Sequence, residues 1–114
     1  MPSPLACALA FAILFATSAA AGADEPGADE PGAERKAELL HLLKHDCGSC
    51  HGLTMKGGLG PPLLPARLAE RPREALVAAI LDGVAGTPMP PWQGELTADE
   101  ASWLVHVLQE GEAQ

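Results

Sequence analysis

The sequence predicts a small all-α protein. Three observations support this. Apolar residues recur at helical spacing in three separate stretches, and a helix-capping box opens the last of them. The segments between are rich in Gly and Pro, with no strand-forming alternation anywhere. The 114 residues allow one domain, and their net charge of −8 makes it acidic.

The first helix is expected over residues 33–44. It opens with Glu34 and carries Leu39, Leu40, Leu42 and Leu43; Leu39 and Leu43 share a face at i, i+4. Residues 52–65 read as a loop, because Gly57, Gly58, Gly60, Pro61, Pro62 and Pro65 all oppose helix. Pro72 suits the first turn of the next helix, followed by Arg73 and Glu74. That helix is expected to reach about residue 81, to bury Leu76, Val77, Ile80 and Leu81, and to stop near Gly83. Residues 86–94 form a second loop. Thr97 and Glu100 make a capping box, so the last helix starts there. It carries Trp103, Leu104, Val107 and Leu108 and ends near Gly111.

Ahead of this domain, the apolar stretch 5–16 is too short to span a bilayer and runs into small residues at 17–21. This pattern resembles a secretory signal peptide over residues 1–21, cut after Ala21, with Ala23 as a second candidate. No Lys or Arg precedes the apolar core, and a retained anchor is the alternative. Removal of the segment takes Cys7 with it and leaves only Cys47 and Cys50. Residues 22–33 contain Ala-Asp-Glu-Pro-Gly twice in succession and read as an acidic, disordered linker. Its Asp24, Glu25, Asp29 and Glu30 supply half of the net charge.

The run Cys47-Gly48-Ser49-Cys50-His51 carries the chemistry. Two thiols three positions apart can add to the two vinyl groups of one haem, and the histidine that follows is placed as an axial ligand. The rivals are a thiol redox pair and half of a zinc site. Zinc needs four ligands, and no second pair stands at the right spacing. A thiol redox pair normally follows a strand, and none precedes Cys47. One covalent haem c is therefore the expected cofactor. It would also supply much of the core that about 80 residues cannot build alone.

Met89 is the candidate for the sixth iron ligand. It lies far enough after His51 to reach the opposite haem face, and Pro88, Pro90 and Pro91 stiffen its loop. A thioether is a weak ligand, so a pre-set loop reduces the entropy lost on binding. Met55 stands only four residues after His51 and is excluded. His41, His45 and His106 are expected on exposed or partly buried helix faces. A proximal histidine needs its second ring nitrogen fixed, and the Pro61 carbonyl is the candidate acceptor. Trp92 could pack on the haem edge or reach a propionate, whereas Trp103 is expected in the core.

The order of these features resembles the class I c-type cytochromes: attachment motif by the first helix, Gly60-Pro61-Pro62-Leu63, a late methionine loop and a C-terminal helix. The resemblance covers about residues 34–110 and implies a cytochrome c domain at 34–112, with helices and loops wrapped around one haem. It implies first and last helices that cross, so the Leu39/Leu43 face meets the Trp103/Leu104 region. It also implies Cys47 and Cys50 on the vinyls, His51 and Met89 on iron, and the Pro61 carbonyl on His51. Such a protein is an electron carrier and not an enzyme. Gas binding or catalysis at iron would need an open sixth position, which Met89 opposes.

A narrower likeness lies in Asp46 to Thr54, Lys56 to Pro61 and Gly86 to Trp92. These resemble the NirC-type small periplasmic cytochromes associated with the haem c/haem d nitrite reductase of denitrifying bacteria. That implies a periplasmic protein that takes electrons from an upstream donor and passes them to nitrite reductase. The alternative is an accessory role in maturing the d-type haem of that reductase. No nucleic-acid partner and no stable membrane insertion after signal removal are expected. An acidic carrier should favour a basic partner, and their association should weaken with salt.

Overall fold

The computed structural model describes residues 30–113; the expected signal peptide and most of the linker lie outside them. Helix α1 (Ala33–Leu42) starts where Gly32 turns extended, with the Lys36 N–H donating to the Gly32 carbonyl. The chain does not leave the helix at Lys44, as the periodicity suggests. A π turn, Leu43–Cys47, follows directly, with the Gly48 N–H reaching back to the Leu43 carbonyl. Helix α2 (Gly48–His51) then completes the run. The π turn inserts one residue, so the attachment motif is rotated by roughly 100° against an uninterrupted α-helix. A composition-based reading cannot see this, because the insertion lies in the hydrogen-bond register.

Beyond the motif, Pro65 opens a short helix α3 (Pro65–Leu68), which buries Leu68. Pro65 stands at the start of a helix, where a missing N–H costs nothing, so it begins structure instead of only opposing it. Helix α4 (Arg73–Asp82) has Pro72 as its cap and not in its first turn. Arg73 donates to the Ser102 carbonyl at 2.8 Å, tying α4 to helix α5 (Ala98–Glu110). The capping box is present as expected: the Glu100 N–H donates to Thr97 Oγ1 at 3.2 Å, and the Thr97 N–H to Glu100 Oε2 at 2.9 Å. No strand occurs among the described residues.

The core forms where α1 and α5 meet. Leu39, Leu43, Leu104, Val107 and Leu108 are buried there with Met55, Leu68 and Leu96. Trp103 differs from expectation. It is half-buried, and its ring lies beneath the Lys36 ammonium at 5.7 Å, a cation–π contact at the domain's edge. Helix α4 differs too: Leu76, Val77, Ile80 and Leu81 are only half-buried, so protein covers one side of them.

Arg35 locks α1 to α5. Its Nε donates to Glu100 Oε1 at 2.6 Å, Nη1 to Glu38 at 2.8 Å and Nη2 to the Glu95 carbonyl at 3.2 Å. One guanidinium thus joins the first helix to the cap of the last. Glu100 serves both the cap and Arg35, and the Arg35 hydrogen bond holds its carboxyl below the ordinary value of 4.5. A depressed carboxylate contributes stability that is complete above its unfolded pKa and is lost as pH falls through the folded one.

Two outcomes are expected. Leu104→Ala should cost about 3 kcal/mol in urea unfolding, because its site is closed on all sides, whereas Leu40→Ala, at a position 43% exposed, should cost under about 0.5 kcal/mol. Glu100→Gln should lower stability by about 1 kcal/mol at pH 7. That gap should close as the pH is taken well below 4.5. Thermal melts of both proteins from pH 7 to pH 3 check the sign.

Candidate haem-binding site

Cys47 ends the π turn and Cys50 lies in α2, three residues on, so both thiols sit near one helix face. Both are free and half-buried. Burial, with Asp46 adding to it, pushes the Cys47 thiol up to about 11. The nucleophile of a thiol redox pair needs the opposite shift, toward thiolate, so Cys47 is poorly set for that role. Among the described residues, no three or more of His, Cys, Asp and Glu group as a bare metal site.

His51 closes α2. Its Nδ1 lies 2.7 Å from the Pro61 carbonyl oxygen. A carbonyl only accepts, so Nδ1 carries the proton and Nε2 keeps its lone pair for a ligand. The loop is folded back to make this contact: the Gly57 N–H donates to the His51 carbonyl and the Gly60 N–H to the Cys50 carbonyl, each at 2.8 Å. Gly60 lies against the imidazole. A Cβ there would stand 2.8 Å from Nδ1 and Cε1, so any side chain would displace the ring.

Met89 lies half-buried in a loop pinned to the end of α4. The Val84 N–H donates to the Met89 carbonyl at 3.2 Å. The Thr87 hydroxyl donates to the Val84 carbonyl at 2.7 Å and accepts from the Met89 N–H at 3.3 Å. Downstream, the Trp92 and Gln93 N–H groups donate to the carbonyls of Ile80 and Leu81 at 3.0 and 3.2 Å. Gly83 has φ +69, and a Cβ on it would fall 2.7 Å from the Met89 carbonyl oxygen. The prolines are therefore only part of what sets this loop. Thr87, and the packing of Gly83 against the Met89 carbonyl, are what sequence reasoning does not reach. A threonine two residues before the methionine was the available signal, since its hydroxyl can bond nearby backbone.

Met55 points elsewhere: it is 1% exposed, inside the main core. His41, His45 and His106 are exposed. Trp92 packs half-buried against the core, and its backbone also accepts from Glu95 and Leu96. Among the described residues, its indole N–H takes no hydrogen-bond partner. Leu63, Leu76, Ile80, Leu81 and Trp92 pack half-buried against the core. Two thiols, an imidazole with a free Nε2, a thioether on a rigid loop and an apolar wall fit the donor set and surroundings of a covalent haem.

All-α fold and attachment motif together define a c-type cytochrome. Residues 34–106 match the family described as cytochrome c oxidase, cbb3-type, subunit III. The chain is 55% identical over 104 residues to cytochrome c55X of Pseudomonas aeruginosa, covering 91% of this chain and 84% of that one. A solved c-type cytochrome NirC is 60% identical, with a TM-score of 0.71, over 73% of this chain and 98% of that one. The dihydro-haem d1 dehydrogenase NirN, solved in complex with DHE, is 35% identical with a TM-score of 0.57. That match covers 60% of this chain but only 15% of NirN. The chain belongs to this cytochrome c family, whose cofactor is covalently bound haem c, and is a monohaem electron-carrier cytochrome.

Thr87→Val keeps the shape of the loop but removes the hydroxyl that joins Val84 to Met89. It should cost about 1 kcal/mol, with Thr87→Ser restoring it. Gly83→Ala should cost about 2 kcal/mol, from a positive φ and a backbone collision. Denaturant unfolding followed at the visible haem bands checks both.

Proposed function

We propose that this chain is a periplasmic carrier of single electrons, with haem attached at Cys47 and Cys50 and iron held between His51 and Met89. On this proposal residues 1–21 are removed on export, 22–33 form the tether, and 34–112 form the working domain. The observation that carries it is the bond between His51 Nδ1 and the Pro61 carbonyl, which leaves Nε2 as the nitrogen able to bind metal. Haem c supplies the one-electron couple. The chain's own residues hold it: His51 is fixed from behind, Met89 is fixed through its backbone, and Trp92 walls the apolar side.

Two loops border the attachment residues and the methionine. Residues 52–66 carry one charge, Lys56, and residues 83–94 carry none. Leu59 is 91% exposed and Leu53 60%. The surface next to the cofactor is thus nearly uncharged, whereas the domain as a whole is acidic. A partner would be steered by the overall field and would dock on a small apolar rim, suited to a short-lived interface.

We propose the haem c/haem d nitrite reductase as the electron acceptor, served by an upstream donor. The likeness to NirC supports this. A second reading, a role in maturing the d-type haem, is favoured by one observation. A dehydrogenase acting on a d1-type haem includes a stretch similar to this chain. A dehydrogenation must pass its electrons on, and a small cytochrome is suited to take them. Among the described residues, no helix is long and apolar enough to cross a membrane.

Stopped-flow mixing of the reduced haem protein with the oxidised reductase separates these readings. Fast oxidation that slows with salt supports carriage to the reductase. Slow oxidation, together with loss of d-type haem when the gene is deleted, supports the maturation role. Met89→Ala should open the sixth position and lower the reduction potential. Ligation spectra identical to those of the unaltered protein would remove Met89 from the site.

A further inference from the structure

Outside the haem site, two imidazoles face each other on the surface. His41 lies in the last turn of α1 and His45 in the π turn, four residues apart and both exposed. Their ring centroids are 4.3 Å apart, with the planes tilted by 40°. The two stand four residues apart, the separation of the histidine pair in helical zinc sites. Among the described residues neither ring takes a hydrogen-bond partner, so no other contact uses them.

A shared ion sets how far apart the two rings can stand. A nitrogen ligand stands about 2.0–2.1 Å from its ion, so each ring centroid lies about 3.2 Å away. Two such rings at the right angle of a square-planar or octahedral ion stand about 4.5 Å apart. At the tetrahedral angle preferred by zinc they stand about 5.2 Å apart. The observed pair is close to the first. We propose that His41 and His45 form a two-histidine surface site for a tetragonal divalent transition metal, copper(II) foremost. Copper(II) binds nitrogen ligands most tightly of the divalent first-row ions and favours that geometry. Water completes the coordination. The site is assembled by the helix alone, and the net negative charge of the protein favours a cation there.

The test is a titration of the mature haem protein with copper(II), read by calorimetry and by electron paramagnetic resonance. One ion should bind with a signal from two equatorial nitrogens. His41→Asn and His45→Asn should each weaken that binding at least about tenfold, and the double variant should abolish it. Zinc(II) should bind more weakly than copper(II). Both positions are exposed, so unchanged visible spectra will show that each variant retains its fold. Copper affinity that is unchanged in the double variant, or a signal with fewer than two nitrogens, would overturn the proposal.

Discussion

The site depends first on one contact, the hydrogen bond from His51 to the Pro61 carbonyl at 2.7 Å. It decides which ring nitrogen is protonated, which way the imidazole faces, and where the loop after the attachment motif must run. Three further features serve it. Pro61 has no N–H to compete, and Pro62 after it restricts its backbone to extended forms, so its carbonyl is held in one direction. The Gly57 and Gly60 amides return the loop to the end of α2. Gly60 gives up its side chain because the ring occupies that space. Ten residues are thus organised around one donor–acceptor pair.

The methionine side is held by a different device. Its loop has no helix of its own and uses the unsatisfied carbonyls at the end of α4. Ile80 and Leu81 would otherwise leave their carbonyls unpaired there, and the Trp92 and Gln93 amides take them. Helix end and loop satisfy each other, so the loop is anchored to the helix to which it is bonded. Arg35 repeats this economy at the opposite end of the domain, where one guanidinium joins α1 to the cap of α5.

Much of this was legible in the sequence. The capping box and the late glycine stops depend on local chemistry and occur where local chemistry puts them, whereas the α1/α5 core face was expected only from the family resemblance. The π turn did not show, because Leu43 to Cys47 has a composition that any helix accepts. The role of Pro65 was misjudged for a related reason. Proline opposes a helix interior but suits its first residue, and only the fold shows which position it holds. Trp103 packs against the core but stays half-buried, and its contact with Lys36 depends on how α1 packs, which helical spacing does not encode. Gly83 and Thr87 matter through their distance from Met89, which no spacing rule encodes.

These two rigid attachments explain why a chain of this kind is built to carry electrons and not to transform a substrate. Transfer is fast when little moves between oxidation states. Here His51 is fixed through Nδ1, and Met89, the proposed second ligand, is held through its own amide and carbonyl. An enzyme acting at iron needs the reverse, a position that opens to admit a molecule. Displacing the backbone around Met89 would mean breaking the Val84, Thr87, Trp92 and Gln93 contacts together, at roughly 1 kcal/mol each. Moving the loop as a unit therefore costs several kcal/mol, and the fold spends its few loop hydrogen bonds on holding that backbone in place.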